Sequence, residues 1–185
     1  DKAMTEEANK IVEQLEDLSE RRTIVIFNEE WHKGVIGIVA SRLTEIYYRP
    51  AVVLTRTNDL ATGSARSVSG FDVYKAIEHC RDLLENFGGH TYAAGLSMKA
   101  ENVEKFTRRF EEYVTNHILP EQRSAVIDID AEIDFRDITP KFHSDLKRFN
   151  PFGPDNHKPI FCTHHVYDYG TSKVVGREQE HIKLE

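Results

Sequence analysis

The sequence predicts an α/β fold, a mixed β-sheet flanked by helices with a shorter β segment after it, and three observations lead there. Apolar runs of strand length at residues 23–27 and 51–54 bracket residues 34–47, in which Val35, Val39, Leu43 and Ile46 recur at helical spacing. Strand, helix, strand at that separation is a βαβ unit, which favours a right-handed crossover and a parallel strand pair. After Pro120 the period switches to two: Ile127, Ile129, Ala131, Ile133 and Phe135 alternate with Asp128, Asp130, Glu132 and Asp134, the pattern of a strand with one acidic solvent face.

Each element has its own warrant. Residues 5–20 place Ile11, Val12, Leu15 and Leu18 on one helical face, behind acidic residues that suit a helix amino terminus. Asn58-Asp59 is a turn signal, and residues 61–67 follow as a strand. A helix is expected from about residue 71 to residue 86, burying Val73, Ile77, Leu84 and Phe87 and ended by Gly88-Gly89. Residues 93–98 make a short strand. Val103, Phe106, Phe110, Tyr113 and Val114 then mark a helix running to about Ile118.

Thr139-Pro140 joins an N-cap to a proline at the first helical position, opening a short helix with Phe142, Leu146 and Phe149 inward. Asn150-Pro151-Phe152-Gly153-Pro154 ends it. Residues 159–184 read as strands with a turn at Tyr169-Gly170-Thr171-Ser172, the last strand barely finished as in a truncated segment, and Leu184-Glu185 reads as a cloning scar. Three regions result: a connecting helix at 1–22, a main domain at 23–120, and a connector helix with a β segment at 121–185.

A chain of 185 residues, 39% hydrophobic and 30% charged, can bury one good core with a smaller unit beside it. No apolar run approaches the roughly 20 residues that cross a bilayer, and no secretory leader opens the chain, so a cytoplasmic location is expected. Cys80 and Cys162 form neither a CxxC pair nor a disulfide framework and read as reduced core residues. The net charge of −7 argues against non-specific coating of nucleic acid. The charge is uneven, however. Residues 1–20 hold seven acids against two bases and residues 121–137 six against two, whereas residues 28–70 hold four acids against five bases, so an anion site is expected in that middle stretch.

Three motifs carry chemistry. Gly88-Gly89-His90-Thr91-Tyr92-Ala93-Ala94-Gly95 reads as a phosphate-facing loop: the glycines let backbone N–H groups approach an anion, His90 adds a donor, and the small residues admit a substrate. The Gly-Gly pair alone reads as a helix C-cap before a close-packed strand, and it is the full eight-residue string that favours the phosphate-facing loop. Gly63-Ser64-Ala65-Arg66-Ser67 ends a strand ahead of a helix, a common ligand position in α/β folds. There Arg66 offers a fork of donors that matches phosphate, and Ser64 shares its strand face. A surface arginine beside a serine helix cap is the plain alternative.

In Trp31-His32-Lys33-Gly34-Val35-Ile36-Gly37, His32 and Lys33 are placed to touch an anion at a helix amino terminus. Trp31 is either a stacking platform or a packing residue, and Gly34 and Gly37 read as packing glycines. Cys162, His164, His165 and His157 are zinc-ligand types without paired ligand spacing, so no metal site is assigned in this chain.

On these motifs the sequence resembles the DHHA1 domain of the DHH phosphoesterase superfamily, in the form found in RecJ-type single-strand-specific exonucleases. GGHTYAAG is similar to that domain's GGHxxAAG signature, WHKGVIGIVASRL to its opening segment, and GSARS with GFDVYKAI to the strand and helix between them. LKRFNPFGPDNHKPIF resembles the connector into the RecJ OB-fold, departing at Asn156-His157-Lys158-Pro159, where such connectors carry Asn-Pro.

The resemblance implies a DHHA1 domain followed by a partial OB-like β segment. It further implies 5′-to-3′ removal of nucleotides from single-stranded DNA, in DNA repair and recombination. Mn²⁺ or Mg²⁺ would be held by a separate DHH domain that precedes this one, with no cofactor in this fragment, which alone would be inactive. Site residues follow by the same resemblance. His90 would face the scissile phosphate as the catalytic residue. Ser64, Arg66, Gly88, Gly89, His32 and Lys33 would bind substrate phosphate, against single-stranded DNA and the protein's own DHH domain as partners. Two rivals share parts of the pattern: a phosphodiesterase of oligoribonucleotides or cyclic dinucleotides, and a non-catalytic nucleic-acid-binding module such as the accessory domain of alanyl-tRNA synthetases.

Overall fold

A computed structural model describes every residue except 1, 16, 154, 177, 178, 184 and 185. Leu184-Glu185, expected from the sequence to be a cloning scar, and Pro154, expected to help end the connector helix, therefore lie outside the described residues. The chain divides into two compact units, residues 1–125 and 126–185.

In the first unit α1 (Lys2–Glu13), β1 (Ile24–Phe27), α2 (Ile36–Tyr47) and β2 (Ala51–Thr57) build the βαβ unit, and β1 pairs in parallel with β2. The chain continues through β3 (Leu60–Arg66), α3 (Val73–Glu78), β4 (Asn86–His90), β5 (Ala93–Lys99) and α4 (Val103–His117). The five strands form one mixed sheet in the order β1-β2-β3-β5-β4, antiparallel beyond the first pair. This is the α/β fold that the periodicities predict.

Strand alternation sends the residues to two faces. On one, Val52 and Leu54 of β2, Ala61 and Ala65 of β3 and Ala94, Leu96 and Met98 of β5 pack against Val73, Ala76 and Ile77 of α3 and Phe106, Phe110 and Val114 of α4. On the other, Ile24, Ile26, Ala51 and Val53 pack against Ala8 and Val12 of α1 and Ile36, Val39, Ala40 and Leu43 of α2. In that second layer α1 lies against β1, and α2 packs over β2 and β3. The Glu111 carboxylate of α4 accepts from the N–H groups of Arg22, at 2.6 Å, and Thr23, at 2.9 Å, and so fixes where β1 begins.

Two expectations need correction here. The helix expected to run to residue 86 stops at Glu78; Asp72 caps it by accepting from Lys75 N at 3.2 Å, and a single 3₁₀ turn at Arg81–Leu83 leads into β4. Gly88 and Gly89 are thus inside an edge strand and do not form a loop after a helix. The strand wins because Asn86–His90 has a ready partner in β5, with Phe87 opposite Leu96 and half-buried against the core. The first helix likewise ends at Glu13 and not near residue 20, and Asp17 takes a positive φ of 58° in the turn beyond it.

In the second unit the acidic alternation does not make a long strand. Only β6 (Ala131–Glu132) forms, in parallel with β7 (Phe161–Cys162), while Ile127, Ile129 and Phe135 are 68%, 53% and 56% exposed. Two-fold alternation describes a one-sided strand only where an apolar layer faces it, and among the described residues none covers these side chains. The Thr139-Pro140 start is as expected: α5 (Pro140–Lys147) opens with the Thr139 hydroxyl accepting from Phe142 N at 3.1 Å. Phe142 meets Phe161 at a ring separation of 5.3 Å, whereas Phe149 is exposed. The Asn156 amide donates to Phe149 O and Pro151 O and ties the turn after α5. β8 (Lys173–Val175) and β9 (His181–Lys183) form a separate antiparallel pair.

Candidate functional site

α2 packs over β2 and β3 alike, so the face that the helical layer leaves open lies on β5 and β4, with Ser64 and Arg66 of β3 at its border against the first turn of α2. Cross-strand register orders that face into rows, because residues paired across a ladder share a side of the sheet. One row is Arg66, Ala93 and His90; the next is Ser64, Gly95 and Gly88. Arg66 and His90 are therefore two inter-strand spacings apart, roughly 10 Å at the backbone.

The glycines of this region divide by the demand placed on them. Gly89 has φ +152°, and a Cβ built there would lie 2.3 Å from Ala93 O, so the fold itself requires glycine. A Cβ on Gly88 would meet nothing within 4 Å, and one on Gly95 would meet only Gly63 O at 3.9 Å. Folding does not need glycine at either position. Paired across the ladder, they leave a floor of bare backbone beside Ser64, which a ligand can approach closely.

Arg66 forms the wall. Its Nη1 donates to the Ser64 hydroxyl and to Ala65 O, both at 2.8 Å. The guanidinium lies against the first turn of α2: a Cβ on Gly37 would be 3.0 Å from Arg66 Nη2 and 3.3 Å from Ser64 Oγ. Gly37, read from sequence as a packing glycine, is what admits this side chain.

The electrostatics are one-sided. The α2 terminus starts at Val35 with no side-chain cap, so the positive end of the helix dipole faces a half-buried cation. Among the described residues no carboxylate lies within ion-pair distance of Arg66. Two positive groups share the place uncompensated, in a chain whose net charge is −7.

His90 is exposed at the end of β4, and Thr91-Tyr92 turns the chain into β5. Val73 N donates to Thr91 O at 2.9 Å and Ser67 N to Tyr92 O at 3.1 Å, which fixes the turn. His32 and Lys33 stand on the loop that enters α2, both exposed. The Nδ1 of His32 accepts from Gly34 N at 3.1 Å, which leaves Nε2 as the donor of the neutral ring. Neither residue is hydrogen-bonded to the Arg66 row. Trp31 is a packing residue: it is buried, and its Nε1 donates to Glu7 Oε2 at 3.0 Å.

Ser64, Arg66, Gly88 and His90 thus meet on one face, Gly89 turns its missing side chain toward β5, and His32 and Lys33 remain at the α2 entrance. No residue pattern signals directly that Gly88 pairs with Gly95, because that pairing depends on β4 being a strand. Among the described residues no three His, Cys, Asp or Glu side chains converge to hold a metal ion; Cys162 Sγ lies 3.7 Å from His164 Nε2 without a third such group.

The model of the DHHA1 domain family matches residues 20–116, more than half of the chain, and that of the RecJ OB domain matches residues 129–185. The chain belongs to the DHHA1 domain family. It is similar to the single-stranded-DNA-specific exonuclease RecJ of Bacillus subtilis, 37% identical over 183 residues, which are 98% of this chain and 23% of that protein. Among solved structures it matches RecJ of Thermus thermophilus in complex with Mn²⁺, with a TM-score of 0.77, 27% identity and coverage of 95% of this chain and 26% of that one. It also matches the Mg²⁺ complex of that protein, with a TM-score of 0.74, 28% identity and coverage of 86% and 25%. The chain thus spans about a quarter of the length of the relatives that it matches. Within the DHHA1 domain, the GGHTYAAG signature supplies the open floor, the His90 row and the fold-required Gly89.

Proposed function

We propose that this chain is the substrate-binding part of a RecJ-type 5′-to-3′ single-stranded DNA exonuclease acting in DNA repair and recombination in the cytoplasm. The observation that carries the reading is the uncompensated Arg66 guanidinium at the α2 amino terminus, beside a Cβ-free floor. A phosphate placed there would take the Arg66 fork and the Ser64 hydroxyl and neutralise both positive ends. His90, at the far end of the same row, would face the scissile phosphate, with His32 and Lys33 touching the strand as it enters past α2.

The two-metal activation of water that phosphodiester hydrolysis requires would come from Mn²⁺ or Mg²⁺ on a separate DHH domain, since the described residues of this chain include no ligand set for it. Support comes from relatives named for single-stranded-DNA exonuclease activity and solved with those ions, of which this chain covers a quarter. The RecJ OB match favours this reading over a phosphodiesterase of oligoribonucleotides or cyclic dinucleotides and over a stand-alone accessory module.

The test uses the longer protein that carries both domains. Arg66→Ala should weaken single-stranded DNA binding and reduce the slope of log K against log salt by about 0.7 for each phosphate no longer neutralised. His90→Ala should lower kcat with KM nearly unchanged, the sign of an interaction made in the transition state. Unchanged affinity and salt slope in Arg66→Ala would remove the phosphate role. The 185-residue chain alone, given single-stranded DNA and Mn²⁺, should release no nucleotides, and metal-dependent release would overturn the division of labour.

A further inference from the structure

The open face continues past the glycine floor. The row after Ser64, Gly95 and Gly88 is Thr62, Ser97 and Asn86, and Lys99 follows at the end of β5. Thr62 and Ser97 are half-buried, Asn86 and Lys99 exposed. Among the described residues none of these four side chains makes a hydrogen bond or ion pair. The core-facing neighbours on the same strands, Ala61, Leu96 and Met98, are fully occupied in packing, so the polar row is not a by-product of a weak sheet.

The eleven positions of this face on β3, β4 and β5 include no carboxylate. A merely solvated strand face in so acidic a chain would be open to acids. Successive rows are two residues apart along the strands, about 6.7 Å, a step comparable to the separation of neighbouring phosphates in an extended single strand.

We infer that Thr62, Ser97, Asn86 and Lys99 form a second backbone subsite, which takes the phosphodiester one or two steps from the phosphate at Arg66. The ligand is the same single strand, laid along β5 from the Arg66 row toward Lys99. Hydroxyl and amide donors would meet phosphate and sugar oxygens without reading bases, and Lys99 would neutralise one further phosphate. This rests on the reading of Arg66, Ser64 and Gly88 as the first phosphate site.

Fluorescence anisotropy of the 185-residue chain with 5′-phosphorylated thymidine oligonucleotides separates the two subsites. The wild-type chain should bind a tetranucleotide more tightly than a dinucleotide. Asn86→Ala/Lys99→Ala should erase that gain and leave dinucleotide affinity unchanged. Lys99→Ala alone should reduce the tetranucleotide salt slope by about 0.7. A length gain that survives in the double variant, while Arg66→Ala weakens both ligands, overturns the second subsite and leaves the first. If Arg66→Ala changes neither ligand, the first site fails and the second with it.

Discussion

The two faces of β3, β5 and β4 are built from alternate residues of the same strands, and they obey different rules. On the covered face, Ala61, Ala65, Ala94, Leu96 and Met98 fill a core under α3 and α4, and even glycine is dictated by packing: a Cβ on Gly63 would lie 2.5 Å from Leu54. On the open face, Gly88 and Gly95 have room for a side chain and do not use it. A glycine that the fold requires and a glycine that only a ligand would require can thus sit one residue apart, as Gly89 and Gly88 do. If the proposed phosphate site is correct, the covered face answers to stability and the open face to binding, and substitutions should sort accordingly.

The largest separation is expected between Phe106 and His90. Phe106→Ala empties a fully buried site and should cost about 3–5 kcal/mol in urea unfolding, whereas His90→Ala on the open face should stay within about 0.5 kcal/mol. Equal losses would mean that the open face is structural. A smaller separation divides the glycines. Gly63→Ala overpacks the core and Gly89→Ala forces a Cβ into β5 backbone at positive φ, each at about 1–3 kcal/mol. Gly95→Ala should be neutral or stabilise by about 0.5–1 kcal/mol, because alanine restricts the unfolded chain more. A destabilised Gly95→Ala would show that the fold needs this glycine after all.

The smallest effect concerns pH. Burial pushes the Cys80 thiol up to about 12, from an ordinary value of 9.0. The folded chain keeps this proton where the unfolded chain has lost it, so the contribution is complete below pH 9 and declines as pH rises from 9 toward 12. Neutral stability is untouched. Cys80 should therefore resist thiol reagents at neutral pH until the chain unfolds, and labelling of the native chain at the rate of a free thiol would contradict its place under α3 and α4.

How much of this was legible from residues alone depends on whether local pattern or tertiary pairing decides. α2, β2 and α4 follow from periodicity because their apolar spacing is what the packed layers use: Val39 and Leu43 share a core cluster with Ile24, Ile26, Ala51 and Val53, and Phe106 and Phe110 share the other with Leu96 and Met98. β4 is not legible as a strand because Asn86–His90 has two glycines and no β-branched residue, so only its ladder with β5 makes it one. Leu84 and Phe87 fitted a longer helix and reach the same core by another route. For the proposed site, the motifs point to Ser64, Arg66 and the glycine-histidine string. The row that joins them required the register of β3, β5 and β4, and the part played by Gly37 required the position of the Arg66 side chain.

The most direct test of the central claim is the affinity of a Gly88→Val chain for a 5′-phosphorylated thymidine tetranucleotide, measured beside its urea midpoint. Valine suits an edge strand, and a Cβ there meets open space, so the midpoint should hold while affinity falls by roughly tenfold, about 1.4 kcal/mol, as the side chain fills the floor. Wild-type affinity in a folded Gly88→Val chain would contradict a ligand-binding floor at Gly88 and Gly95.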